Sequence, residues 1–217
     1  MRFPGWGIRL LACLALAATL HAQAGNQTEQ RVVILGDSLT AGLGLPPQQA
    51  FPMLLQQRLD AQGLKYRIIN GGVSGDTSAG GLDRINLAFD GDVRVLILAF
   101  GGNDGLRGLP ADELKRNLTR MIERAVARGI TVVLAGMEAP PNFGPRYTTE
   151  FRNVYPDLAT RYHLKLIPFL LQGVAGNPSL NQRDGIHPNA QGSRIVADNV
   201  WAVLRPILEP RISRKSQ

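Results

Sequence analysis

The chain has 217 residues, of which 44% are hydrophobic and 19% are charged, and its formal net charge is +7 at pH 7. A chain of this length can bury a packed core, and the basic excess could indicate nucleic acid or an anionic membrane as a partner. The Lys and Arg residues are scattered without interleaved aromatics, which argues against nucleic acid and leaves only a weak attraction to anionic lipid. One Cys and three His are also a poor set of metal ligands.

Residues 1–24 have the features of a secretory signal peptide. A start with two arginines precedes an apolar segment of eleven residues at 10–20, and an Ala-Gln-Ala cleavage motif ends at Ala24. The apolar segment is too short to span the roughly 30 Å hydrocarbon core of a bilayer. Cleavage would leave residues 25–217 and remove Cys13, the single cysteine. We therefore expect a periplasmic or secreted protein without a disulfide.

A serine follows the first predicted strand. The apolar run at residues 32–35 ends in glycine, as a short buried strand does, and Gly-Asp-Ser-Leu at residues 36–39 comes directly after it. Binding crevices of open α/β sheets lie at the carboxyl ends of the strands, and Ser38 would lie in such a crevice. A serine there can act as a nucleophile if a histidine and a carboxylate reach it, although a serine in a turn is the commoner case.

Two glycine-rich loops further along the chain could provide hydrogen-bond donors for an oxyanion. One contains Gly75 and follows the strand-like residues 66–69, and its glycines allow a backbone N–H to approach a ligand closely. The other is Gly-Gly-Asn-Asp at residues 101–104, which follows a predicted strand over residues 94–100 and offers the side-chain amide of Asn103. Each loop by itself is also typical of an ordinary strand-to-helix turn.

Helical and strand-like patterns alternate through the rest of the chain. Residues 111–128 place apolar side chains on one face at helical spacing, and residues 188–208 predict a last amphipathic helix. Residues 131–135 and 165–167 predict two further strands. Short buried strands that alternate with helices indicate a parallel sheet covered on both faces. We therefore predict a single domain, a three-layer α/β/α sandwich with about five parallel strands.

Two histidines lie beyond the predicted signal peptide, His163 and His187. His163 follows a helical pattern directly before a predicted strand, where a surface or helix-capping role is expected. His187 lies three residues after Asp184 in the segment Asp-Gly-Ile-His-Pro, ahead of the last predicted helix. Both side chains could point into one cleft as a general base and the acid that orients it. The same pattern also fits a loop in which both are merely solvated.

The serine segment, the two glycine-rich loops and the Asp-His segment together resemble the four sequence blocks of the SGNH subgroup of GDSL hydrolases, in particular its bacterial thioesterase, lysophospholipase and arylesterase branch. This resemblance implies a flavodoxin-like strand order. It also implies that Ser38 is the nucleophile, His187 the base and Asp184 the orienting acid. The oxyanion hole would consist of the backbone N–H groups of Ser38 and Gly75 and the side-chain amide of Asn103.

One more loop bears on the substrate. Residues 139–147 follow the fourth predicted strand, so they should lie on the same rim as Ser38. The loop resembles the subgroup's loop that covers the acyl chain, and by that likeness Pro141 and Phe143 would bind substrate. Pro141 and Pro145 depart from the subgroup's pattern and should stiffen the loop. A surface connection without a ligand role is the alternative.

The sequence leaves three functions open. The leading one is an exported, monomeric serine esterase, without cofactor or metal, that hydrolyses aryl esters, acyl-CoA thioesters or lysophospholipids through an acyl-enzyme. A carbohydrate O-deacetylase is the second, and it is disfavoured because only 6% of the residues are aromatic and could stack on sugars. The third is a non-catalytic flavodoxin-like or nucleotide-binding module, but the chain lacks a P-loop and a G-x-G-x-x-G motif. No serine lies in G-x-S-x-G, which excludes the nucleophile elbow of the α/β-hydrolase fold.

Overall fold

The computed structural model describes residues 29–209, and the predicted signal peptide lies outside them. Five parallel strands form one sheet in the order β2-β1-β3-β4-β5. The strands are β1 (Gln30–Gly36), β2 (Tyr66–Gly72), β3 (Asp92–Ala99), β4 (Thr131–Ala135) and β5 (Lys165–Ile167). The predicted number of strands, their parallel direction and the flavodoxin-like order are confirmed.

Seven α-helices accompany the sheet between residues 29 and 209. They are α1 (Ser38–Ala41), α2 (Phe51–Ala61), α3 (Ser78–Asp83), α4 (Gly102–Leu106), α5 (Ala111–Val126), α6 (Pro145–Arg161) and α7 (Ala190–Leu208). Helices α2 and α7 pack together on one face of the sheet, and α3, α5 and α6 form the layer on the other. The predicted three-layer sandwich is therefore confirmed. Within the described range, no helix is both long and apolar enough to cross a bilayer.

The core follows the apolar patterns of the sequence. Strand β3 lies between β1 and β4 with both faces covered, so its residues 95–99 are apolar without interruption and buried. Helix α5 buries one stripe of side chains. This stripe consists of Leu114, Leu118, Met121, Ile122 and Ala125. Helix α7 likewise buries Val196, Val200 and Leu204, and its Ile195 and Val203 are half-buried against the core.

The parallel sheet brings every loop that follows a strand to the same edge. The chain leaves β1 toward α2 and leaves β3 toward α5, which lie on opposite faces, so a crevice opens between the ends of these two neighbouring strands. Helix α7 begins at Ala190 rather than at the predicted Pro188, because the side chain of Asn189 caps the backbone N–H groups of Gln191 and Gly192. His187 therefore lies in the loop ahead of the helix.

Candidate active site

Ser38 lies at the turn between β1 and α1. The side chain of Asp37 caps the short helix by accepting a hydrogen bond from the Leu39 N–H at 3.0 Å. Gly36 is needed where the strand ends, because a Cβ there would collide with the side chain of Thr40. Ser38 is only 8% exposed, and it lines the cavity described below.

A continuous chain of contacts links Ser38, His187 and Asp184. Oγ of Ser38 lies 2.8 Å from Nε2 of His187, and Nδ1 of His187 lies 2.8 Å from Oδ2 of Asp184. Because a carboxylate can only accept, Nδ1 carries the ring proton and Nε2 is left to accept the proton of the serine hydroxyl. The structure thus brings together three side chains that come from the two ends of the described sequence.

The conformation of the Asp184 loop keeps this carboxylate ionised. Oδ1 accepts hydrogen bonds from the backbone N–H groups of His187 and Ile186, each at 3.0 Å. These two bonds, the His187 bond foremost, lower the pKa of Asp184 from 3.8 to about 2. Gly185, with a φ of 76°, makes the tight turn possible. Asp184 is therefore a carboxylate throughout the neutral pH range and can orient the imidazole.

Gln182 joins the histidine loop to the serine turn. Its backbone N–H donates to the carbonyl oxygen of His187 at 2.7 Å. Its side-chain amide donates to the carbonyl oxygens of Leu43 at 2.7 Å and Pro188 at 3.0 Å. Since Leu43 follows α1, these bonds fix the separation of the serine and the histidine. Gln182 was not predicted from the sequence, and its place two residues before Asp184 is the only signal that could have indicated it.

The two glycine-rich loops bring the predicted donors to the same cavity. Gly75 has a φ of 87°, which favours glycine, and the space that a Cβ would occupy is open. Nδ2 of Asn103 donates to the carbonyl oxygen of Asp76 at 2.9 Å and makes a longer contact of 3.5 Å with Asp37. An amide nitrogen carries two hydrogens, and the long bond to Asp37 is the one that a substrate oxygen could replace. Ser38, Gly75 and Asn103 all line the cavity.

The cavity has a volume of about 560 Å³, and its wall is mainly apolar. Much of the wall comes from the loops after β4 and β5. Apolar lining residues include Leu106, Met137, Pro141, Phe169, Leu171 and Ile186. Asp37, Glu138 and His187 are the ionisable side chains in the lining, and no Lys or Arg of the described residues belongs to it. The lining suits a hydrocarbon chain beside a polar reaction centre.

Of the two residues predicted to bind substrate, Pro141 lines the cavity and Phe143 lies outside its lining. The ring of Phe143 packs against Tyr147, with 5.4 Å between ring centroids, and lies over Gly108. The Tyr147 hydroxyl donates to the carbonyl oxygen of Leu109 at 2.7 Å. Phe143 therefore braces the segment that follows α4, and its contact with substrate stays a prediction.

Two carboxylates near the serine are buried, Asp37 of the serine turn and Asp104 of the second glycine-rich loop. Asp37 is 1% exposed, and burial raises its pKa from 3.8 to about 6, although the Leu39 N–H opposes the rise. Asp104 accepts hydrogen bonds from the N–H and the hydroxyl of Ser78 at 2.9 and 2.6 Å, and burial raises its pKa as well. Asp104 thereby ties the start of α3 to α4 and fixes the two loops relative to each other.

His163 lies apart from this site. It follows α6, is exposed and has a φ of 53°. Its exposed place at the end of the helix agrees with the predicted surface role. Within residues 29–209, no three or more His, Cys, Asp or Glu side chains are grouped so that they could hold a metal ion.

Comparison with known proteins places this chain in a family. Residues 34–195 match the GDSL-like Lipase/Acylhydrolase family. Esterase TesA of Pseudomonas aeruginosa is 43% identical over 200 residues, which cover 92% of this chain and 98% of that protein. Thioesterase 1/protease 1/lysophospholipase L1 of Escherichia coli K12 is 34% identical over 178 residues, which cover 82% of this chain and 84% of that protein. A crystal structure of TesA matches with a TM-score of 0.78 at 43% identity, covering 82% of this chain and 100% of that one. The chain therefore belongs to the GDSL-like lipase/acylhydrolase family and is a serine hydrolase that acts on acyl esters.

Proposed function

We propose that the chain hydrolyses aryl esters, acyl-CoA thioesters and lysophospholipids through a covalent acyl-enzyme formed on Ser38. The observation that supports this most directly is the chain of two 2.8 Å contacts from Ser38 through His187 to Asp184. His187 accepts the hydroxyl proton as Ser38 attacks the acyl carbon, and it returns that proton to the leaving alcohol or thiol. Asp184 orients and stabilises the imidazolium. Water, activated by the same histidine, then hydrolyses the acyl-serine bond.

The negative charge that develops on the acyl oxygen requires donors that are already in place. As the first residue of α1, Ser38 has a backbone N–H without an intrahelical acceptor. The Gly75 N–H and the Asn103 amide would be the other two donors. The bond from Asn103 to the Asp76 carbonyl holds that amide before substrate arrives. One such donor is typically worth about 3 kcal/mol in the transition state.

The apolar cavity supports a hydrocarbon chain as the acyl group. The chain would extend from Ser38 toward the loops after β4 and β5 and contact Pro141. Each buried methylene contributes up to about 0.8 kcal/mol. Since no Lys or Arg of the described residues lines the cavity, a phosphate on the leaving group would stay outside it. A carbohydrate O-deacetylase is less well supported, because an acetyl group would leave most of the apolar wall uncovered.

A substrate panel tests this proposal. We expect kcat/KM for p-nitrophenyl esters to rise from acetyl to decanoyl, and a long-chain acyl-CoA to be hydrolysed as well. An acetylated sugar should be a poor substrate, because it fills little of the cavity. A preference for acetyl esters, with the acetylated sugar as the best substrate, would contradict the proposed substrate class.

We further propose that residues 1–24 direct export and that a single domain, residues 25–217, acts as a monomer in the periplasm or outside the cell.

Weak contact with anionic lipid is also part of this proposal. Seven large apolar side chains of the described residues are exposed, and five of these lie in or within two residues of the cavity lining. These five, which we term the apolar rim, are Leu43, Val73, Leu106, Phe143 and Ile186. A rim of this kind supports contact with the lipid aggregate that supplies the acyl chain.

A further inference from the structure

Arg84 is a largely buried arginine next to the proposed oxyanion hole. It follows α3, and its side chain is 19% exposed. Nε donates to Oδ2 of Asp76 at 2.6 Å, Nη1 to the carbonyl oxygen of Gly71 at 2.8 Å, and Nη2 to that of Gly36 at 2.8 Å. The ring of Phe100 lies 5.8 Å from the guanidinium carbon. The planar fork of a guanidinium can serve three acceptors at once, whereas an ammonium is a point charge.

The three acceptors belong to the segments that carry two of the proposed donors. Gly36 is the last residue of β1, two residues before Ser38. Gly71 lies near the end of β2, ahead of the loop that contains Gly75. Asp76 follows Gly75 directly. One side chain therefore holds the ends of two neighbouring strands and the loop beyond the second strand in a fixed arrangement.

The third proposed donor is reached through Asp76. The side chain of Asp76 is bound by Arg84, and its backbone carbonyl accepts the hydrogen bond from Nδ2 of Asn103. This bond sets the rotation of the Asn103 amide and hence the direction of its second N–H. Without Arg84, the Asp76 carboxylate, 20% exposed, would lose its ion-pair partner. The loop would keep the bond from Arg107 to the Gly75 carbonyl oxygen but would no longer be held to the ends of β1 and β2.

We propose that Arg84 is a positioning residue for the oxyanion hole, a role that rests on the proposed function. It does not touch the substrate, but it holds the Gly75 loop and, through Asp76, the Asn103 amide where both can bind the acyl oxygen in the transition state. Displacing a preorganised group by about 1 Å can cost about 10²-fold in rate. The effect of losing Arg84 therefore falls on kcat, whereas a purely structural residue would affect only stability.

The first test compares two arginines. Arg84→Gln and Arg84→Lys should lower kcat for p-nitrophenyl butyrate by about 10- to 100-fold, with KM changing less than about threefold. Arg58→Gln is the matched control, because Arg58 is 29% exposed, pairs with Asp198 at 2.6 Å and joins α2 to α7 away from the site. It should lower Tm with kcat unchanged. A folded Arg84→Gln variant with wild-type kcat, or with a change confined to KM or Tm, would overturn the proposal.

The second test asks whether Arg84 acts through the oxyanion donors. Asn103→Ala alone should lower kcat by about 10²–10³-fold. In the Asn103→Ala variant, the donor that Arg84 would position is absent. The fold-decrease in kcat caused by Arg84→Gln should therefore be at least about threefold smaller in that variant than in wild type. An equal fold-decrease in kcat in both backgrounds would overturn the proposal that Arg84 acts through Asn103. If Arg84→Gln does not fold, Asp76→Asn replaces it in both tests, since it removes the ion pair and keeps the backbone carbonyl.

The two proposals fail in different ways. Hydrolysis that survives Ser38→Ala would reject the proposed function. Hydrolysis that depends on Ser38 but keeps its full kcat in Arg84→Gln would reject only the role of Arg84.

Discussion

Asp37 is a buried acid next to Asn103, which we propose to stabilise the negative charge on the acyl oxygen. Its Oδ2 lies 3.5 Å from the Asn103 amide nitrogen, and burial raises its pKa to about 6. Three interactions favour its ionised form, namely the hydrogen bond from the Leu39 N–H, the charge of a protonated His187 and the hydrogen bond from the Asn103 amide. The acid thus caps the helix that begins at Ser38 and can stabilise the imidazolium of the catalytic cycle, but its burial costs stability at neutral pH.

The pH dependence of stability tests this account of Asp37. Because the pKa is raised from 3.8 to about 6, folding favours the protonated acid, and its stabilising contribution is lost as the pH rises from about 4 through about 6. Asp37→Asn stays neutral, so its free energy of unfolding should rise relative to that of the wild type between pH 4 and pH 7. The gain is at most about 3 kcal/mol, since a tenfold change in proton affinity is worth about 1.4 kcal/mol. Thermal unfolding at both pH values measures it, and a Tm difference between variant and wild type that is the same at both would contradict the account.

At the scale of strands and loops, much of the site is predictable from the sequence. Apolar runs mark the strands, and a parallel sheet sends every loop that follows a strand to one edge, so the segments of Ser38, Gly75 and Asn103 must come close together. Contacts made to the backbone are not predictable in this way. Arg84 and Gln182 bind carbonyl oxygens, which every residue has, so no residue pattern marks their partners.

The direction in which a loop side chain points cannot be predicted from the sequence either. An aromatic residue in an apolar loop can face the cavity or the neighbouring loop, and Phe143 packs against Gly108 while Pro141 faces the cavity. The difference arises because Gly108 has no side chain, so its surface is open to the ring of Phe143. The loop therefore combines one residue that lines the cavity with one that holds the adjacent segment.

Replacing Pro141 with Gly and Phe143 with Ala tests whether this loop binds the acyl chain. The double variant should lower kcat/KM for decanoyl esters much more than for butyryl esters, because only the longer chain reaches the loop. The difference should approach about fourfold for each methylene that loses its contact, the equivalent of about 0.8 kcal/mol. Steady-state kinetics on both esters gives the ratio. An equal loss on both would show that the loop supports the fold or the reaction centre.

The molecule as a whole concentrates its exposed apolar side chains around the cavity. Outside the apolar rim, the described residues expose two large apolar side chains, Leu87 and Val126. Three residues of the apolar rim, Leu43, Leu106 and Ile186, also line the cavity. Residues 25–217 carry a net charge of +5, because Arg2 and Arg9 account for two of the +7, and we propose that this charge adds a weak attraction to anionic lipid. This distribution supports contact with lipid at the mouth of the cavity.

Sedimentation with anionic phospholipid vesicles tests this contact. In residues 25–217 carrying Ser38→Ala, the further change Val73→Ser should reduce the bound fraction, since Val73 is 45% exposed in the rim. Leu87→Ser is the control, because Leu87 is 77% exposed away from the cavity, and it should bind as the parent does. Binding should also weaken as salt is added. Equal losses for both variants would show that the rim is not the contact surface.

The most direct test of the whole account is covalent labelling of the nucleophile. A p-nitrophenyl phosphonate should react with the enzyme in a one-to-one ratio, abolish hydrolysis and, after digestion and mass spectrometry, be found on Ser38. His187 should make the serine reactive, because its Nε2 lies 2.8 Å from the hydroxyl oxygen. A folded Ser38→Ala variant should neither react nor hydrolyse esters. Label on any other residue, or hydrolysis by that variant at the wild-type rate, would contradict the account.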